Sequence, residues 1–84
     1  MGIIRNAKAD KLATDAQKAY AAGQFFFSAL LNYPHWTFGA SGEIPDWSAM
    51  IEAIERQGWV LTHWSAGVDA KGNPQAYPVF RRRQ

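Results

Sequence analysis

The chain has no cysteine in its 84 residues, and that absence constrains its fold more than any motif it contains. A domain of this size removes only about 60% of its unfolded surface from water, and small domains often offset the shortfall with disulfides or a thiolate-bound metal. Neither device is open to this chain. Packing has to hold it, and the material is a 48% apolar composition with four Trp, three Tyr and five Phe. Typical per-residue stabilities give roughly 4–12 kcal/mol in total, so losing one aromatic anchor is enough to unfold it. One core and one domain over residues 1–84 are expected, with 1–4 and 83–84 as flexible ends; a multidomain enzyme is excluded. Thiol nucleophiles and thiolate zinc sites go with the cysteines, and the cytoplasm is the expected compartment. MGIIRNAKAD lacks the apolar stretch of a secretory signal, and no run approaches the length of a membrane span.

Residues 5–22 carry Ala9, Leu12, Ala13, Ala16, Ala19 and Tyr20 at three- and four-residue steps, which predicts a helix, with Lys11 and Asp15 paired on its polar side and Gly23 as C-cap. A stripe made mostly of alanine removes little area from water, so this helix needs close approach to a flat partner such as a sheet. Residues 25–34, FFFSALLNYP, read as a strand with Phe25, Phe27, Ala29, Leu31 and Tyr33 on one side and Phe26, Ser28, Leu30 and Asn32 on the other. Both sides are apolar at its start, so both are expected to need cover. A loop follows to residue 44. Residues 46–57 predict a second helix with Asp46 as N-cap, a Trp47, Met50, Ile51 and Ile54 stripe, a Glu52–Arg56 pair and Gly58 as C-cap. WVLTHWSAGV alternates as a strand, placing Trp59, Leu61 and His63 on one face. DAKGNP is a turn, and QAYPVFRR returns, so residues 59–82 form a hairpin whose last strand sits at the sheet edge or holds Pro78 at a non-bonded position.

The fold class is therefore α+β, in the order α-β-α-β-β: a three-stranded sheet with the second helix packed on one face and the alanine-rich N-terminal helix covering part of the other. So few elements cannot bury this many aromatics. An exposed apolar patch on the sheet is expected, and such patches mark association surfaces, so the chain is read as a homo-oligomer or the partner of another protein.

Gly58, Trp59, Leu61, Tyr77, Phe80 and Arg81 carry a resemblance. The run from residue 51 to 82 resembles a family of small bacterial proteins of unknown function, of actinobacterial type, with a helix, a Gly-Trp-x-Leu strand and an aromatic-Phe-Arg hairpin ending. Val60 stands where that pattern has an acidic residue. The resemblance implies a strand-helix-hairpin fold and transfers no catalytic residue.

Chemistry-bearing groups are sparse. His35 and His63, the two histidines, are 28 residues apart, and no HxH or HxxxH spacing exists, so no metal site is expected. Six of the seven acids fall on polar helix faces, at a cap or in a turn, leaving only Glu43 near His35. No nucleophile elbow or phosphate-binding glycine loop is present. A non-catalytic protein without cofactor is the expectation. The formal charge of +2 comes from Arg81, Arg82 and Arg83, because residues 1–80 sum to −1. Those arginines are the candidates for an alternative reading, weak nucleic-acid binding, but three phosphate contacts give a log-log salt slope of only about −2.7. Membrane attachment lacks a second signal. Tyr33, His35, Trp36 and Phe38, close together in the loop, are the candidate interface anchors.

Overall fold

In a computed structural model of the chain, residues 7–32 and 41–83 are described. The elements are α1 (Ala7–Ala21), β1 (Phe26–Ser28), α2 (Pro45–Glu55), β2 (Trp59–His63), β3 (Ala66–Val68), β4 (Pro74–Ala76) and β5 (Val79–Arg82). The architecture is α+β, as expected: two helices, a three-stranded antiparallel sheet in the order β1-β5-β2, and a small two-stranded sheet of β3 and β4.

α1 ends where the sequence places its cap. Gly23 takes φ +84°, and the N–H groups of Gly23 and Gln24 reach back to the carbonyls of Tyr20 and Ala19 at 3.1 and 3.2 Å. α2 begins differently from expectation. Ile44 occupies the cap position without a side-chain hydrogen bond and Pro45 lies in the first turn. Asp46, released from capping, pairs with Lys8 at 3.3 Å and so ties the starts of the two helices together. The expected helix-surface pairs both form, Lys11–Asp15 at 2.8 Å and Arg56–Glu52 at 3.6 Å.

The regular part of the first strand is shorter than the run of apolar residues that announces it, yet pairing continues. Ala29 N–H donates to the Pro78 carbonyl at 3.1 Å, and Leu31 exchanges both backbone bonds with Ala76 at 2.8 and 3.1 Å. The alternation holds: Phe27 and Leu31 are buried, while Phe26, Ser28 and Leu30 are exposed.

The hairpin is broken in two. β2 pairs with β5 in the main sheet, and β3 pairs with β4 beyond a kink that Tyr77 N–H bridges to the Ser65 carbonyl at 2.8 Å. β5 lies at the centre of its sheet. Pro78 is tolerated because it falls between β4 and β5, where its missing N–H costs a single bond. β1 and β2 both run antiparallel to β5 and hence parallel to each other, with β5 inserted between them.

The alanine-rich helix does not cover the second face of the sheet. Ala16 and Ala19 of α1 share one buried cluster with Ile54 of α2 and with Phe27, Trp59 and Phe80, all from the same face of the sheet. Both helices lie on that face. The alanine stripe finds its close neighbour in α2, whose own Ala49 and Ala53 are small, in a second cluster with Ala9, Leu31, Met50 and Ala76. Trp59 is the centre of the core. It is fully buried, its indole N–H donates to the Ala16 carbonyl at 3.0 Å, and its ring meets Tyr20 edge-on at 5.8 Å.

Candidate interaction surface

With both helices on one side, no element among the described residues covers the other face of the three-stranded sheet. Its registers align two rows across β1, β5 and β2: Phe26, Arg81 and Val60 in one, Ser28, Val79 and His63 in the next. Phe26 is 53% exposed and Val60 39%, with Arg81 between them and its guanidinium 5.6 Å from the Phe26 ring centre. Among the described residues the expected cover of the first strand is therefore missing on the Phe26 side, where Phe26 and Val60 stand exposed on the sheet.

His63 reaches this face through an irregularity. The register of β2 shifts between Leu61 and His63, so His63 stands opposite Val79 rather than sharing the buried face of Trp59 and Leu61. It is exposed, not packed. Strict two-residue alternation conceals this, since one extra residue reverses every side chain beyond it.

The three arginines divide by function. Arg81 is on the bare face. Arg82 turns to the helix side, where its guanidinium stacks 3.8 Å from the Tyr20 ring centre and donates to the carbonyls of Tyr20 at 2.7 Å and Gln24 at 3.0 Å. Arg83 donates to the carbonyls of Glu55 at 3.3 Å and Trp59 at 3.2 Å, and its own N–H bonds to Gly58 at 2.8 Å. Cations thus sit at the C-terminal ends of both helices, where the helix dipole and the unsatisfied carbonyls favour them. Arg83 is held by these three bonds, and β5 is no edge strand for the arginines to guard.

Glu55 was also missed by sequence reading, which placed it on a solvent-facing helix surface. Its carboxylate accepts the Leu61 N–H at 3.1 Å, a backbone donor on the outer side of β2. In the β3–β4 turn, Asp69 accepts the N–H groups of Lys71 and Asn73, both at 2.9 Å. The Asn73 N–H is the leading cause that holds the Asp69 carboxyl below its ordinary range, with Lys71 and Gly72 adding to it against a smaller opposing effect of burial.

The loop candidates Tyr33, His35, Trp36 and Phe38 lie outside the described residues. Next to that segment, Trp47 donates its indole N–H to the Asn32 carbonyl at 2.8 Å and packs against the exposed Trp64 with ring centres 5.8 Å apart. Glu43 is exposed. Among the described residues no group of three or more His, Asp or Glu side chains is gathered to hold a metal, and no helix is long and apolar enough to cross a membrane. No family model, curated protein or solved structure matches the chain.

Proposed function

We propose that the chain acts by protein association through the bare face of its sheet, as a small non-catalytic accessory or regulatory protein that also self-associates. The observation that carries this reading is the exposed Phe26, Arg81 and Val60 row, on a sheet whose helices are all committed to the opposite face. An exposed aromatic beside an arginine is a composition that protein interfaces favour. The cysteine-free composition fits a reducing compartment, the cytoplasm.

The alternative, weak nucleic-acid binding through Arg81, Arg82 and Arg83, has less support. Arg82 and Arg83 direct guanidinium donors at internal carbonyls, which leaves Arg81 as the one of the three turned to the open face. One phosphate contact gives a salt slope of about −0.9.

The test is sedimentation of the wild type and of Phe26→Lys, a 53% exposed position on both the open face and the first strand, up to high micromolar concentration. The wild type should associate. The variant, altered only at an exposed strand position, should lose association while its stability moves by no more than about 1 kcal/mol. A wild type that stays monomeric and captures no protein from its own cell extract refutes the reading.

A further inference from the structure

The two edges of the sheet are treated differently. On β2, the Leu61 N–H is taken by Glu55 at 3.1 Å and the Trp59 carbonyl by Arg83 at 3.2 Å, so one of the two outward backbone groups at each position is already occupied. On the β1 side, Phe25, Ala29 and Leu31 bond inward: Arg82 N–H to the Phe25 carbonyl, Ala29 N–H to Pro78, and Leu31 in both directions with Ala76. Antiparallel ladders alternate, so Phe26, Ser28 and Leu30 turn their backbone groups outward. The Gln24 side chain reaches the Phe26 carbonyl at 3.1 Å. Among the described residues nothing takes the outward groups of Ser28 or Leu30. Edges are ordinarily protected by charge, proline or a covering element, yet residues 21–32, AAGQFFFSALLN, contain neither a charge nor a proline.

We propose that β1 pairs antiparallel with β1 of a second copy about a two-fold axis at Ser28, joining two three-stranded sheets into one of six strands. The proposal rests on the self-association proposed above and places it at the β1 edge, beside the open face. In this register Ser28 faces Ser28 of the second copy, Phe26 faces Leu30, and Phe27 faces Ala29. On the open side, Phe26 and Leu30 become cross-strand apolar neighbours; on the helix side, a large residue meets a small one. Within the paired strands no charges are brought together. The protected β2 edges lie outermost, so assembly stops at two copies instead of growing into a fibre.

A second copy suits this edge better than an acidic peptide does. The groove of about 560 Å³ beside it, between α1 and β1, is bordered by Lys8 and Lys11. Both are already paired, with Asp46 at 3.3 Å and Asp15 at 2.8 Å, so charge gives an acidic ligand little advantage over a neutral strand. Area sets the strength. Phe25 is 75% exposed and Phe26 53%, which at about 150–250 Å² per aromatic side chain leaves roughly 200–300 Å² of ring surface per copy. A standard interface buries about 800 Å² on each partner. The dimer is therefore weak and concentration-dependent.

Because the chain has no cysteine, Ser28→Cys introduces the only thiol. Directly opposed residues in a hydrogen-bonded antiparallel pair have Cα atoms about 5.5 Å apart, within the range a disulfide spans. Under mild oxidation at high micromolar concentration, S28C should form a covalent dimer faster than V60C, whose thiol lies on the open face away from the axis. Ser28→Pro, which removes the outward N–H and none of the bonds to β5, should raise the dimer dissociation constant at least about tenfold. Rapid crosslinking of V60C with little from S28C overturns edge pairing and leaves association through the open face standing. A monomer at every concentration, with no crosslink from either thiol, overturns both.

Discussion

Arg82 offers the sharpest test of whether the arginines near residue 82 are structural. Replacing it with methionine keeps an unbranched apolar stem against Tyr20 and Trp59 and removes the guanidinium. Two hydrogen bonds are lost, to Tyr20 at 2.7 Å and Gln24 at 3.0 Å, together with a cation–π stack at 3.8 Å. The bonds are exposed to solvent, so each contributes about 1 kcal/mol at most rather than the upper range for charged groups. The stack adds about 0.5–1 kcal/mol, and a cation at the α1 C-terminus adds about 0.3–1 kcal/mol. These effects share atoms and do not sum fully. The net loss is about 2–3 kcal/mol, on the order of a quarter of the stability such a chain has. Urea unfolding followed by tryptophan fluorescence measures it, since Trp59 lies at the affected end of the core. Arg81→Met, on the open face with only the Phe26 ring beside it, should change stability by no more than about 0.5 kcal/mol. Equal effects from the two substitutions would refute the division of labour between them.

Gly58 should tolerate no side chain. Its φ is +100°, and a Cβ there would lie 2.5 Å from Cε2 of Tyr20, so Gly58→Ala combines left-handed strain with displacement of the ring on which Arg82 stacks. A loss of about 2–4 kcal/mol is expected in thermal or urea unfolding, coupled with Arg82→Met rather than additive to it; additivity would place the Tyr20 ring outside the shared network. Asp69 governs an acid-dependent contribution. Its carboxyl is lowered in the folded chain by the Asn73 N–H first, so the ionised form is favoured by folding. The stabilisation it brings is fully present above the unfolded value of about 3.9 and is lost as pH falls through the lower folded value. Asp69→Asn keeps an acceptor oxygen and cannot titrate, so the stability difference between wild type and variant should vanish at low pH; a difference that is constant from pH 2 to 7 contradicts this.

Periodicity located the elements well because burial here follows the pleat and the helix turn: Phe27 and Leu31 in, Phe26 and Leu30 out, Met50 and Ile54 under α2. It could not locate their partners. An alanine stripe fits a sheet or another helix equally well, and only the alanines of α2, Ala49 and Ala53, decide for the helix. The irregularity after Leu61 has no local signal, since Thr62 and His63 fit a regular strand, and it moved His63 to the opposite face. Arg82 and Arg83 read as a cationic chain end because nothing in their neighbourhood in sequence is a helix terminus; the carbonyls they bond to lie 62 and 28 residues away. The sheet patch, by contrast, was legible from the number of aromatics set against the number of elements, although the loop aromatics at residues 33–38 drew the attention in the sequence.

The bare face follows from the same count. Three strands at about 4.8 Å spacing present a sheet about 10–15 Å wide. Two helices packed side by side, with small residues such as Ala16, Ala49 and Ala53 between them, cover that width on one side at the usual spacing of about 8–10 Å. No third helix exists among the described residues to cover the other. Moving α1 across the sheet would cover both faces thinly and separate Ala16 from Trp59, breaking the buried indole hydrogen bond at 3.0 Å. The chain instead concentrates its burial on one side, where Trp59, Phe80 and Ile54 are fully enclosed, and leaves Phe26, Val60 and the β1 edge available. Stability and the proposed association surface are thus two consequences of one packing choice, so substitutions on the open face should alter association with little effect on stability, while those at Trp59 or Arg82 should do the reverse.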